Sequence, residues 1–142
     1  MAYYNKIGLL ILNDDQTKFL VCEPGSAYEE KKVTQYLMPG GQVNGEESDE
    51  NCLRREIGEE LSCEIEAGSL SYLGEFTDLS AAGPDRDVTI KLYQGKVGGR
   101  PVASAEIGRL VWVGKNDLNN IRVSPIIKNK IIPYLMNNRI LK

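Results

Sequence analysis

The chain has 142 residues, with 17 Lys and Arg against 20 Asp and Glu, a formal net charge of −3, and no histidine. That length suits one domain, residues 1–142, able to bury about two-thirds of the surface its unfolded form exposes. The nearly balanced charge carries no long run of one sign, which argues against nucleic acid as a partner. The lack of histidine removes Ser-His and Cys-His pairs, imidazole bases and His-ligated zinc together, so any catalysis is left to carboxylates, lysine, tyrosine or a metal. Cys22, Cys52 and Cys63 form no CxxC pair, a pattern that suits reduced thiols and a cytoplasmic setting. The apolar run at residues 7–12 is too short to span a bilayer and has no basic leader around it, so no membrane association is expected.

In chain order, residues 6–12 and 19–22 are apolar and β-branched on either side of the turn residues Asn13, Asp14 and Asp15, which reads as an opening β-hairpin. Residues 33–38 read as another strand, stopped by Pro39 and the Gly40-Gly41 pair. Residues 47–61 place Leu53, Ile57 and Leu61 at i, i+4 and i+8, the stripe of an amphipathic helix. Ser48 is its natural N-cap, with Asp49 and Glu50 in the first turn where the helix dipole favours acids. Residues 70–76 and 88–93 read as strands, the second turning Val88, Ile90 and Leu92 inward. A Gly- and Pro-containing loop separates them at residues 80–86, and residues 110–113 form one more short strand. Ser124-Pro125 opens a terminal helix whose stripe is Ile127, Ile131 and Leu135, with Pro133 expected to kink it. Strands, an acidic helix, more strands and a terminal helix make an α/β or α+β sandwich, with no repeat and no linker to a second domain.

One segment stands apart: Gly41, then Glu47, then Arg55-Glu56-Ile57-Gly58-Glu59-Glu60-Leu61-Ser62-Cys63. At 3.6 residues per turn, Glu56, Glu59 and Glu60 share one helix face beside the apolar stripe. Like charges at i, i+3 and i+4 cost a few tenths of a kcal/mol per pair, so a compensating cation is expected. Hard oxygen donors without sulfur or imidazole favour Mg²⁺ or Mn²⁺ over zinc. Magnesium held by a few carboxylates takes its remaining ligands from water and substrate phosphates, which points to a phosphate-containing small molecule. With histidine absent, a glutamate takes the proton. Gly40-Gly41 lets the backbone approach such an ion, offering a carbonyl or amides, and Arg55 can pair with Glu47 and hold the neighbouring Glu56 in place. From background residue frequencies, the full spacing arises by chance on the order of once in a million.

At these residues the sequence resembles the Nudix hydrolases, whose box is G-x5-E-x7-R-E-U-x-E-E-x-G-U with U a bulky aliphatic residue. Gly41, Glu47, Arg55, Glu56, Ile57, Glu59 and Glu60 match, while Ser62 replaces the glycine and Cys63 the last aliphatic residue. A weaker likeness extends through residues 37–41, Ala105-Glu106-Ile107 and Trp112-Val113. The resemblance implies an α/β/α sandwich around a mixed β-sheet, the box forming a loop-helix-loop. It also implies hydrolysis of a pyrophosphate bond in a nucleoside diphosphate derivative or nucleoside triphosphate with a divalent cation, Mg²⁺ or Mn²⁺.

Carried over by position, Glu56, Glu59 and Glu60 are the expected metal ligands, with the Gly40 carbonyl a further donor. Glu56 is the favoured base and Glu106 a downstream candidate for base or extra ligand. The expected partner is a nucleotide or other organic pyrophosphate, and a homodimer is compatible with this reading. Tyr36, Tyr72, Phe76 and Trp112 are candidates to stack on a base, although ordinary packing competes for each. Arg86, Lys91 and Arg100 are candidates to touch phosphates. Val123 falls where oxidised-guanine enzymes carry an asparagine, which counts against that specificity. The alternative from another class is a nucleotide-binding regulatory module of the same fold without turnover; the intact acids argue against it.

Overall fold

A computed structural model describes residues 2–25, 35–80, 83–104 and 107–142. Among the described residues the strands form three short sheets. The largest has the order β3-β1-β6-β5, built from β1 (Ala2–Leu10), β3 (Gly40–Gly41), β5 (Ser71–Ser80) and β6 (Gly83–Gln94). It is mixed: β1 runs parallel to β6, while β3 and β5 run antiparallel to their neighbours. β2 (Phe19–Pro24) pairs with β8 (Ile107–Val113), and β4 (Glu64–Ile65) with β7 (Val97–Gly98), both antiparallel.

Alternation along β1 sorts its side chains between two cores. Ile7 and Leu9, with Ile11 just past the strand's end, join Cys52, Leu53, Ile57 and Leu61 of helix α1 (Asp49–Leu61). Leu10 joins Val88, Ile90 and Leu92 of β6 and the terminal helical residues Ile127, Ile131 and Leu135. Each Leu or Ile withdrawn from water contributes up to about 1.5–3 kcal/mol, and the two cores together fix a helix on either side of the sheet. This is the α/β/α sandwich with a mixed β-sheet. No helix among the described residues is long and apolar enough to cross a membrane.

Both helices follow their sequence signals. Ser48 caps α1 by accepting from the Asn51 N–H at 3.1 Å, and the apolar stripe is fully buried. Ser62 ends the helix at φ 54°, ψ 36°, the left-handed conformation that glycine adopts freely and other residues reach at about 1 kcal/mol. The N–H groups of Val102 and Ser104 bond the Leu61 and Glu60 carbonyls at 2.9 and 3.0 Å, satisfying the end of the helix. At the C-terminus, residues Ile127–Ile131 form a π-helical turn that leads into α2 (Ile132–Asn137). The π turn ends two residues before Pro133, which lies in the first turn of α2, where its missing N–H is tolerated.

Two sequence expectations are corrected. The opening hairpin closes only at its tip, where Leu12 pairs with Phe19 and the Leu20 N–H reaches the Ile11 carbonyl at 3.0 Å; β1 and β2 then part into different sheets. The strand expected at residues 33–38 is reduced to isolated bridges from Tyr36 to Val123 and from Leu37 to Cys22, its first two residues lying outside the described ones. Non-local pairing, β1 with β6 and β2 with β8, overrides the local pattern in both places.

Candidate active site

Glycine geometry brings the β3 turn onto the acidic helix. Gly40 has φ +134°, and a Cβ there would sit 1.9 Å from the Ile7 carbonyl oxygen, so only glycine fits. A Cβ on Gly41 would come 2.4 Å from the carboxylate carbon of Glu56. The turn is tied down at both residues: the Gly40 N–H donates to Glu60 Oε1 at 2.8 Å, and the Cys52 thiol donates to the Gly41 carbonyl at 3.6 Å.

Arg55 is the hub of the acid face. Its Nε and Nη2 grip both Glu47 oxygens at 2.9 and 3.0 Å, and Nη2 also donates to the Gln42 carbonyl at 3.0 Å. Its Nη1 donates to Glu56 Oε1 at 2.8 Å and stands 3.6 Å from Glu59 Oε2. A bidentate guanidinium–carboxylate pair fixes direction as well as charge. The Arg55 hydrogen bonds, with help from the Asn44 N–H, hold the Glu47 carboxyl down at about 2, and the same Glu47 bonds raise the Arg55 guanidinium above its ordinary value. Glu47 therefore stays charged throughout the neutral range.

Behind this face lies a buried layer. Burial first, then the negative charge of Glu60, pushes the Cys22 thiol up to about 12, while the positive charge of Lys6 pulls the other way. Cys52 is raised to about 11, again by burial first and then by Glu47. Both thiols are inert packing groups at neutral pH, and all three cysteines are unpaired and buried.

The structure thus gathers Gly40, Gly41, Glu47, Arg55, Glu56, Glu59 and Glu60. Glu59 is the most open of the Arg55-linked acids, its side chain 57% exposed against 18% for Glu56. As donors for a cation the set fits a hard divalent ion: carboxylate oxygens beside a turn where a Cβ would fill the space Glu56 occupies. Among the described residues no three acidic or sulfur side chains converge on one point, because Glu56 is turned to Arg55 and Glu60 to the Gly40 amide.

Other candidates fall elsewhere. Tyr36, a candidate to touch substrate, is 5% exposed in the core, with the Arg122 guanidinium 5.1 Å from its ring centroid. Phe76 packs edge-on to Tyr134, Tyr72 leans on Tyr93, and Trp112 stays exposed. Lys91 stands 3.8 Å from Asp49 Oδ2, which also accepts from the Tyr93 hydroxyl at 2.7 Å. Glu106 and the Arg86 side chain lie outside what the structure describes. Lys6, treated in sequence only as the start of a strand, is buried beside this site and donates to the Met38 carbonyl. The available signal was its phase, which it shares with the inward Leu10.

A mixed sheet between two helices, with a glycine turn pressed on an acid-faced helix, is the arrangement that the Nudix resemblance implied. The NUDIX domain family model matches residues 3–135, and the chain belongs to that family as a Nudix-type pyrophosphohydrolase. Among solved structures it is similar to a MutT protein from Methanosarcina mazei Go1, at 21% identity over 96% of both chains with a TM-score of 0.76. It is also similar to a MutT NUDIX hydrolase from Burkholderia pseudomallei, at 20% identity over 96% of this chain and 98% of the other, TM-score 0.66. A NUDIX-family hydrolase from Clostridium perfringens shares 17% identity over 97% and 99%, TM-score 0.63. At these identities the likeness speaks for the fold alone. No curated protein sequence matches the chain.

Proposed function

We propose that residues 1–142 act as one Nudix domain that hydrolyses a pyrophosphate bond in a nucleoside triphosphate or nucleoside diphosphate derivative, using Mg²⁺ or Mn²⁺, in a cytoplasmic setting. The observation that carries this reading is the Arg55 hub, which ties Glu47 and Glu56 together within reach of Glu59 on the face that Gly40 and Gly41 press against. Glu56, Glu59 and Glu60 are the residues that would hold the cation, with the Gly40 carbonyl as a further donor. A divalent ion bound there supplies charge neutralisation at phosphate and a lowered pKa for water.

The chain's own groups carry the rest. Water attacks phosphorus, the P–O bond to the bridging oxygen breaks, and the water proton passes to a glutamate, Glu56 in the first instance with Glu106 as the other candidate. Arg55 and Glu47 position Glu56. The Arg86 side chain is proposed to contact phosphate oxygens. A panel of nucleotides and organic pyrophosphates incubated with Mg²⁺ or Mn²⁺, followed by release of phosphate and pyrophosphate, tests the reading. Turnover by the wild type, lost in Glu56→Gln and Glu60→Gln variants that melt at an unchanged temperature, is the expected result. Binding without turnover of any compound would select a regulatory module instead.

A further inference from the structure

Trp112 is the only tryptophan of the chain, and it is 41% exposed while its neighbour Val113 is 1% exposed. Its direction follows from strand register. Trp112 pairs with Leu20, which is buried in the α1 core, and Leu110, two residues earlier on the same face, packs against that core too. The indole therefore points to the α1 side of its sheet and is left partly uncovered there.

That side opens into a groove of about 780 Å³, the size of a small-molecule site. Ile11 and Val97, which belong to or pack against the α1 core, share its wall with Trp112. The tip of the opening hairpin brings Asp14 and Lys18 to it, and the ends of β4 and β7 bring Glu66 and Lys96. A Cβ on Gly114, two residues past Trp112 and on its face, would stand 3.4 Å from Lys18 Cγ, which sets the lysine stem beside the indole. Among the described residues, none from the box lines this groove. The box turn pairs with Ile7 and Gly8, and Gly8 and Ile11 are three residues apart, about 10 Å along a strand.

The lining selects a class of ligand. Two lysines and two acids cancel, and among the described residues none of the four forms an ion pair. A groove without net charge, in a chain of net charge −3, has no field to draw a polyanion. An open indole face beside aliphatic walls suits a flat ring, and the charged heads around it offer donors and acceptors to that ring's polar edge.

We propose that this groove is a second ligand site, separate from the box, for an uncharged planar heteroaromatic ring of the kind a nucleoside carries, stacked on Trp112. The proposal goes beyond hydrolysis and holds whether or not the box turns a substrate over.

Because Trp112 is the sole tryptophan, indole emission reports on this groove alone. The wild type is titrated without divalent metal against adenosine and uridine, with adenosine mono- and triphosphate as further arms, exciting at the red edge of indole absorption. The nucleosides are expected to change the emission saturably and to shield it from iodide, and added phosphates to leave the affinity read from emission no tighter. Calorimetry then compares wild type with Trp112→Phe, which keeps a ring to stack on, and Trp112→Leu, which does not. Loss of the stacked ring is expected to weaken nucleoside binding about tenfold in the leucine variant, and by much less in the phenylalanine variant. If Trp112→Leu does not fold, the wild-type titration and the phenylalanine variant decide the matter. No saturable change in emission, equal affinity of the leucine variant and wild type, or an affinity that rises with each phosphate overturns the proposal, and the hydrolase reading stands in every case.

Discussion

Gly41 and Glu56 are in contact so close that no other residue can replace the glycine without moving the carboxylate: a methyl group on the Gly41 Cα would lie 2.4 Å from the Glu56 carboxyl carbon and from Oε1. The backbone of Gly41 is not in the left-handed region, so alanine there is sterically allowed by the chain itself. Gly41→Ala is therefore expected to fold and to displace Glu56 from Arg55. Misplacement of about 1 Å at a reacting group costs on the order of 10²-fold in rate. The measurement is kcat alongside the melting temperature; a variant with wild-type kcat would show that Glu56 need not lie against the turn.

The Glu47–Arg55 pair makes a prediction about acid stability. Arg55 holds Glu47 at about 2 instead of its ordinary 4.5. A carboxyl lowered in the folded state binds its proton more readily when unfolded, so its contribution is present above about pH 4.5 and is lost as pH falls toward 2. Melting temperature followed through that interval should fall less steeply for Glu47→Gln than for the wild type. Equal slopes would contradict the pairing.

Ser62 holds the left-handed helix end at φ 54°. Ser62→Gly relieves that conformation, offset in part by the greater freedom glycine has in the unfolded chain. The expected net gain is about 0.5–1 kcal/mol in chemical denaturation, with kcat unchanged because Ser62 contributes no carboxylate. A loss of stability would mean that the serine side chain makes up for its backbone conformation.

The parts of this structure that were legible in sequence are those governed by local periodicity. The α1 stripe of Leu53, Ile57 and Leu61, the Ser48 cap and the inward Val88, Ile90 and Leu92 all follow from the 3.6- and 2-residue periods and are found buried or capped as expected. What was not legible depends on partners distant in the chain. The parting of β1 from β2 is decided by the parallel pairing of β1 with β6, and the reduction of residues 35–38 to bridges by contacts with Val123 and Cys22.

Within the box, the spacing predicts a shared acid face but not which way each acid turns. Glu56 toward Arg55 and Glu60 toward the Gly40 amide are set by the glycine turn, whose approach is a tertiary fact. Tyr36 shows the converse, an aromatic residue beside a motif that packing claims for the core.

The claim on which the account turns is that the glutamate face of α1 binds a divalent cation against a phosphoanhydride. Titration of Mn²⁺ into the protein with a nucleoside triphosphate, followed by paramagnetic resonance of free Mn²⁺, tests it directly. The account predicts tight uptake by the wild type and loss of that uptake, with the fold retained, when Glu56, Glu59 and Glu60 are together replaced by Gln. Equal uptake by the two proteins, or none by the wild type, would contradict it.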